Sequence, residues 1–311
     1  MNYKKIGILK SFLGTPLRSS RELLFFCPKC KHHKRKLSVN IEKDKFKCWI
    51  CDYKGNSVTR LVRRWASAEQ QSQWPDFSNI SNKTELLDLL NGISEEESLQ
   101  RVELPDEFLS LVTNERTLVN QRAYNYLNSR GITSCDIQKF KLGYCTSGKW
   151  KDRIIFPSFT PTGTVNYFIG RTYSNDWKKY MLPEADRNIV FNELMIDWDK
   201  DLVLTEGVFD SVNAENSIPI LGSTLRRDSK LFAKIIQNSP EVYMALDPDA
   251  EKKSQKIIDL FLRYGIIVYK IDLNPYEDLG SMPKGEFVKR KDSAIRYSDS
   301  TNLLMSKLGM L

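Results

Sequence analysis

From residue 202 onward, short apolar runs alternate with segments of helical spacing. Leu202-Val203-Leu204-Thr205 ends in Glu206-Gly207, and helix-compatible residues begin at Val208. Ile218-Pro219-Ile220-Leu221 is a second run, closed by Gly222, and residues 224–237 carry helical spacing. Val242-Tyr243-Met244-Ala245-Leu246 is a third, ending in Asp247-Pro248-Asp249. Ile257, Leu260, Phe261 and Tyr264 form a helix stripe, and Ile266-Ile267-Val268-Tyr269 is the fourth run. The pattern predicts a parallel sheet with helices on both sides. Near the N-terminus the period is two instead. Leu37, Val39 and Ile41 alternate with Ser38, Asn40 and Glu42, as in a half-buried strand. The fold class is α/β in the C-terminal part and α+β overall.

The period-two segment lies between two Cys-x-x-Cys pairs. Cys27-Pro28-Lys29-Cys30 and Cys48-Trp49-Ile50-Cys51 are separated by 17 residues. Each pair aims two sulfurs at one point from a tight turn, and a hairpin brings the turns together. Four thiolates make the closed tetrahedral shell of a structural zinc ion, so Cys27, Cys30, Cys48 and Cys51 are the expected ligands of a zinc ribbon. His32 and His33 are the alternatives to one of these cysteines. On the returning strand Lys45, Lys47 and Trp49 share one face, with Phe46, Cys48 and Ile50 on the other. Cys135 and Cys145 have no partner spacing and are expected to be ordinary buried thiols.

Charge sharpens the division. The 311 residues carry a net charge of +8, yet residues 1–65 alone carry +13. Residues 66–105 carry −6, residues 106–200 carry +2, and residues 201–311 carry −1. Residues 1–65 thus form a basic zinc-binding domain. Residues 66–105, with Gln70-Gln71-Ser72-Gln73 and Glu95-Glu96-Glu97, suit an acidic linker with one or two helical turns near Leu86-Leu87-Asp88-Leu89-Leu90. A basic module interleaved with aromatic residues suits nucleic acid, with Lys45, Lys47 and Trp49 as candidate contacts. With 41% hydrophobic and 28% charged residues, wholesale disorder and a disulfide mini-protein are excluded. No run approaches the ~18 apolar residues of a membrane span, and no signal-peptide core follows Met1. A cytoplasmic protein without membrane contact is expected.

The carboxyl ends of parallel strands are where sites form in open sheets, and Glu206, Asp247 and Asp249 fall there. Converging carboxylates repel one another unless cations neutralise them. Hard oxygen ligands suit magnesium or manganese, and two such ions about 3.5–4 Å apart support phosphoryl transfer. Asp210, one turn past Glu206, and Asp278 extend the cluster.

These residues carry a resemblance. Residues 202–270 resemble a TOPRIM domain, with Glu206 at its glutamate and Asp247 and Asp249 at its Asp-x-Asp, although Pro248 stands where the family often has Gly. Tyr126-Leu127-x-x-Arg130-Gly131-Ile132, Phe140-Lys141-Leu142-Gly143-Tyr144 and Arg153-Ile154-Ile155-Phe156-Pro157 resemble the motifs of a primase catalytic core, followed by Gly170-Arg171 and Lys178-Lys179-Tyr180-Met181. With the zinc ribbon in front, the order resembles bacterial and bacteriophage DNA primases. The four-cysteine ribbon is closer to the stand-alone bacteriophage type.

The resemblance implies residues 106–200 as the N-terminal part of an RNA polymerase core, residues 201–284 as the TOPRIM subdomain and residues 285–311 as a helical tail. It implies synthesis of short RNA primers on a single-stranded DNA template from ribonucleoside triphosphates. Arg153, Arg171, Lys178 and Lys179 would meet DNA or triphosphate; pairing with Asp152, Asp176 or Glu184 is the alternative. Glu206, Asp247 and Asp249 would hold two magnesium or manganese ions, with Asp210 and Asp278 in support. No Gly-x-x-x-x-Gly-Lys-Ser/Thr loop occurs, so a separate replicative helicase is the implied partner. For a phage-encoded chain, the compartment is the bacterial host cytoplasm. The competing readings are a TOPRIM nuclease or topoisomerase-like DNA-cleaving enzyme, and a non-catalytic zinc-ribbon adaptor for nucleic acid. The tail segment Asn302-Leu303-Leu304-Met305 is expected to pack back on its own domain rather than dock a partner.

Overall fold

A computed structural model describes residues 3–19, 21–75, 100–113, 116–222 and 224–297. The expected helical turns near Leu86, the Glu95-Glu96-Glu97 cluster and the tail around Leu303 lie outside these residues. The chain divides into two compact units.

The first unit contains the N-terminal module together with residues 232–241 and 258–267. Helix α1 (Tyr3–Leu13) precedes an antiparallel meander of five strands, β1 (Leu17–Ser19), β2 (Glu22–Phe25), β3 (Leu37–Asn40), β4 (Lys45–Cys48) and β5 (Lys54–Gly55), paired in chain order. Helices α2 (Val58–Trp65) and α3 (Ala68–Ser72) follow. The expected half-buried strand is β3, but all four of its residues are buried. It lies between β2 and β4, and its polar members are satisfied inside: Ser38 donates to Glu22, and Asn40 accepts from the Lys43 N–H at 2.9 Å. Ile50 lies past the end of β4, in the turn, and is half exposed rather than facing the core.

The acidic segment does not begin as a tether. Trp74 is 1% exposed and donates its indole N–H to Thr59 Oγ1 at 3.0 Å. Gln71 donates to the carbonyls of Arg63 and Ala66. The module's packed core therefore runs to Trp74. Inside the same unit, buried Arg63 donates to the Tyr264 carbonyl, and Glu241 accepts from Asn56 through both carboxylate oxygens at 3.1 Å.

The second unit holds two sheets. The first is antiparallel: β6 (Phe108–Ser110), β7 (Gly143–Cys145), β8 (Arg153–Phe159), β9 (Val165–Thr172) and β10 (Tyr180–Met181), each beside the next. Helices α4 (Gln121–Ser129) and α5 (Ser134–Phe140) connect β6 to β7. Thr133 caps α5 together with Asp136, which also takes the Lys284 ammonium at 3.0 Å. Cys145 is buried as expected, and burial pushes its thiol up to about 12. Cys135 is exposed in the first turn of α5, because that turn's buried positions are Asp136 and Ile137.

The second sheet contains β11 (Leu202–Thr205), β12 (Ser217–Pro219), β13 (Val242–Ala245), β14 (Val268–Lys270) and β15 (Ile295–Tyr297), in the spatial order β12-β11-β13-β14-β15. The four strands read from the sequence are all present and parallel. Along the chain between these strands come α6 (Val208–Val212), α7 (Lys230–Asn238) and α8 (Glu251–Arg263), of which residues 232–238 and 258–263 belong to the first unit. After α9 (Lys284–Asp292), β15 adds an antiparallel edge to β14, so residues 284–297 complete the sheet instead of forming only a helical tail. One apolar core joins the antiparallel sheet to α6: Leu127, Phe140, Ile154 and Phe156 pack in the same cluster as Val208 and Phe209. That shared core ties α4, β8 and β9 to α6, the helix that follows β11.

Gly143 in β7 shows how tight the sheet is. A Cβ there would meet the Phe108 ring and lie 2.6 Å from the Leu109 carbonyl oxygen. Gly143→Ala should therefore lower stability by roughly 1–3 kcal/mol in urea denaturation. Gly7→Ala, in open space on α1, should raise it by up to about 1 kcal/mol. Equal effects of the two substitutions would contradict this packing.

Candidate functional site

The two cysteine pairs converge. The Cys27 and Cys51 sulfurs are 3.8 Å apart, as are those of Cys30 and Cys48, and all four lie within 4.8 Å of one another. A tetrahedron with metal–sulfur bonds of about 2.3 Å has edges near 3.8 Å, so the thiols are arranged for zinc. His32 and His33 stack on each other at 4.3 Å and are not in this group. Burial pushes the Cys27 thiol well up, and a divalent cation reverses such a shift by stabilising the thiolate. Beside the cluster, Trp49 is 63% exposed with the Lys47 ammonium 4.9 Å from its ring, and Lys47 also pairs with Asp52 at 3.0 Å. Lys45 is exposed on the same strand.

The second constellation lies wholly in the second unit. Thr205 of β11 is in register with Ala245 of β13, so Glu206, one residue past the pair, and Asp247, two residues past it, leave neighbouring strands at the same carboxyl edge. Neighbouring strands are about 4.8 Å apart, which sets the separation of these backbones. Asp249 is exposed in the 3-10 turn Pro248–Ala250. Asp210 is buried and folds back on its own helix start, accepting the Gly207 N–H at 2.8 Å and the Gly280 N–H at 3.1 Å. Asp278 accepts the Ser281 N–H at 2.6 Å and lies 3.8 Å from Arg130. Gly280 is needed for this approach, since a Cβ would sit 3.0 Å from Asp210 and 3.4 Å from Asp278.

The carboxylates are incompletely satisfied. Glu206 Oε1 takes Lys253 Nζ at 2.8 Å, but its Oε2 is buried without a hydrogen bond, and so is Asp247 Oδ1. Burial, then the charges of Asp210, Glu206, Asp278 and Asp249, push Asp247 up to about 7. Burial and the neighbouring Asp278 push Asp210 up to about 6, against the two backbone N–H groups. Buried polar oxygens without partners are rare, and here they face a like-charged cluster. These oxygen donors suit a hard divalent cation.

The basic candidates separate. Arg153 is 4% exposed; its guanidinium pairs with Asp176 and donates to the Lys178 carbonyl at 3.0 Å. These contacts favour the alternative for Arg153, pairing with Asp176, over a direct phosphate contact, because a buried guanidinium held by a carboxylate and a carbonyl serves its own loop. Arg171 donates to the Tyr126 hydroxyl at 3.0 Å and stacks on Tyr180 at 4.5 Å. Tyr126 meets Phe209, the neighbour of Asp210, at 6.2 Å between ring centres. Lys178 and Lys179 are exposed. The contribution of Lys253 was not legible beforehand; its one signal is a position one helical turn past Asp249. Arg130 was part of a quoted motif, yet nothing in the spacing placed it beside Asp278.

Because Asp247 and Asp210 have raised values, the folded chain keeps protons that the unfolded chain releases near pH 4. Their contribution to stability is complete at low pH and is lost as pH rises through about 6 to 7. In magnesium-free, zinc-loaded protein, the melting temperature of Asp247→Asn should gain on that of the parent between pH 5 and 8. A constant difference across that range would contradict the burial and repulsion described.

No protein-family model matches the chain. Among curated proteins it is similar to the DNA primases of two strains of Helicobacter pylori. Identity is 22% over 325 residues in one case, covering 87% of this chain and 56% of the relative. In the other it is 22% over 313 residues, covering 83% and 54%. The chain thus spans about half the length of the curated relatives it matches. Among solved structures, the DnaG primase catalytic domain bound to single-stranded DNA aligns with a TM-score of 0.53 at 19% identity, covering 72% of this chain and 84% of that one. The Escherichia coli primase catalytic core aligns with a TM-score of 0.50 at 20% identity, covering 61% and 79%. The fold of the primase catalytic core is therefore shared, and the resemblance to DNA primases extends from motifs to structure.

Proposed function

We propose that the chain is a DNA primase that makes short RNA primers on single-stranded DNA. The observation that carries this reading is the carboxylate cluster at the ends of β11 and β13, with two buried oxygens lacking partners and Asp247 pushed up to about 7. Supporting it are the four-cysteine module ahead of the core and the likeness to primases in sequence and fold. On this reading the core is of the TOPRIM type, and the four-cysteine ribbon favours the bacteriophage branch.

Glu206, Asp247 and Asp249 would hold magnesium or manganese, with Asp210 and Asp278 shaping the site. Such ions lower the pKa of a coordinated hydroxyl and offset charge on transferring phosphoryl oxygens. The chain's own contributions follow from its geometry. Gly207 and Gly280 orient Asp210 through their N–H groups. Lys253 holds Glu206. Arg171, kept in place by Tyr126 and Tyr180, and the exposed Lys178 and Lys179 would take the triphosphate of a ribonucleotide or the template backbone. Arg153 acts at one remove, holding the loop that carries Lys178.

In the N-terminal module, Lys45, Lys47 and Trp49 would grip the template beside the zinc. The +13 of residues 1–65 supplies most of the electrostatic attraction, and the acidic stretch within residues 66–105 tethers the module without binding DNA. A separate helicase would open the duplex.

The test is incubation of the full chain with single-stranded DNA, magnesium and labelled ribonucleoside triphosphates. Short labelled RNA should appear only with all three. Asp247→Asn should reduce synthesis by about 100-fold or more, the scale of losing one charged group from an active site, while zinc content stays at one ion per chain. Full synthesis by the variant would remove Asp247 from the site. DNA cleavage without ribonucleotides would replace primase by nuclease.

A further inference from the structure

The hairpin between β9 and β10 carries a feature that the carboxylate chemistry does not use. Trp177 is 90% exposed. Single exposed aliphatic residues are ordinary on any surface, but Trp normally buries 150–250 Å² of its surface. Its loop is also held rigidly. Asp176 is tied to buried Arg153, which donates to the Lys178 carbonyl as well. The Lys178 N–H returns to Asp176 at 2.9 Å, and the Lys179 N–H donates to the Trp177 carbonyl at 3.2 Å. Thr172 accepts the Ser174 N–H at 3.1 Å and donates its own N–H to the Lys179 carbonyl at 3.1 Å. Collapse of the loop to bury the indole would break this network.

The surroundings point to one kind of partner. The loop's only acid, Asp176, is paired internally, so Lys178 and Lys179 leave the loop positive around the ring. Three residues after Trp177 comes Tyr180, stacked under Arg171 at 4.5 Å. Three residues span at most about 11 Å of chain, and Arg171 leads through Tyr126 to Phe209 and Asp210. An exposed indole flanked by ammonium groups at the rim of a phosphoryl-transfer site suits an unpaired base and its backbone.

We propose that Trp177 is a stacking platform for one base of the single-stranded DNA template, with Lys178 and Lys179 engaging the adjoining phosphates. This rests on the primase reading and deepens it by naming where the template enters. A preset indole loses little conformational entropy when a base stacks on it. A duplex, whose bases are already stacked, gains nothing from it.

The test compares binding of a fluorescein-labelled single-stranded oligothymidylate to the parent chain, Trp177→Ala, Trp177→Phe and Lys179→Ala across a salt series. Trp177→Ala should weaken binding about 5- to 150-fold, the range that loss of one stacked base covers, with an unchanged salt slope. Trp177→Phe should recover most of the loss. Lys179→Ala should lower the slope by about 0.7, the contribution of one phosphate contact on a single strand. Duplex affinity of Trp177→Ala should equal that of the parent. Parent-like single-strand affinity in Trp177→Ala, with primer synthesis intact in the parent, would overturn the platform and leave the primase reading standing. An unchanged affinity accompanied by a raised KM for ribonucleotides would assign Trp177 to the incoming nucleotide and overturn the template assignment. Absence of both synthesis and single-strand binding in the parent would remove both.

Discussion

The organising constraint of the second unit is repulsion among carboxylates at the ends of parallel strands. Neighbouring strands β11 and β13 end together, with Thr205 paired to Ala245, so Glu206, one residue past that pair, and Asp247, two residues past it, emerge at the same edge of the sheet. Half-burial of these groups limits the water that would screen them, so part of the charge is managed in other ways. Lys253 takes one oxygen of Glu206, backbone N–H groups take both oxygens of Asp210, and Arg130 stands near Asp278. What remains is a raised Asp247 and two buried oxygens without partners, which is what the proposed cation site rests on. Such an arrangement lowers stability locally, and it persists because the surrounding core over-determines it.

That core is what makes the site composite. Phe209, next to Asp210 in α6, meets the ring of Tyr126, so α4 and β9 share an apolar cluster with the helix that carries Asp210. Positive side chains at Arg171, Lys178 and Lys179 are thereby held on elements whose packing also sets the acids. The zinc module solves a different problem. A small basic sheet repels itself, and four thiolates around a cation tie both ends of its hairpin. Its helix pair extends the packing to Trp74.

Much of this was legible in advance for identifiable reasons. The strands of the parallel sheet are short apolar runs, two of which end in acids, Glu206 and Asp247. The two Cys-x-x-Cys pairs could be paired by spacing alone. The boundary errors are equally physical. Acidic and glutamine-rich composition suggested a tether from residue 66, but Gln71 and Trp74 spend their polar groups inside the module. Ser38 and Asn40 looked solvent-facing, yet a central strand can bury hydroxyl and amide groups when its neighbours bond them. Residues 295–297 carried no strong strand signal and were recruited by the open edge of β14. Arg153 matched a motif, and of the two roles the sequence left open for it, phosphate contact or pairing with an acid, the structure shows the pairing with Asp176. The roles of Lys253 and Trp177 depend on exposure and distance, which no spacing rule encodes.

The central claim of the proposed function is that Glu206 and Asp247 hold a divalent cation at the carboxyl edge that β11 and β13 share. Electron paramagnetic resonance of Mn²⁺ added to zinc-loaded protein tests it directly, because bound Mn²⁺ loses its free-ion signal. The parent chain should remove Mn²⁺ from solution saturably, and the double variant Glu206→Gln with Asp247→Asn should not. Equal uptake by both proteins, with the fold of each intact, would contradict the account.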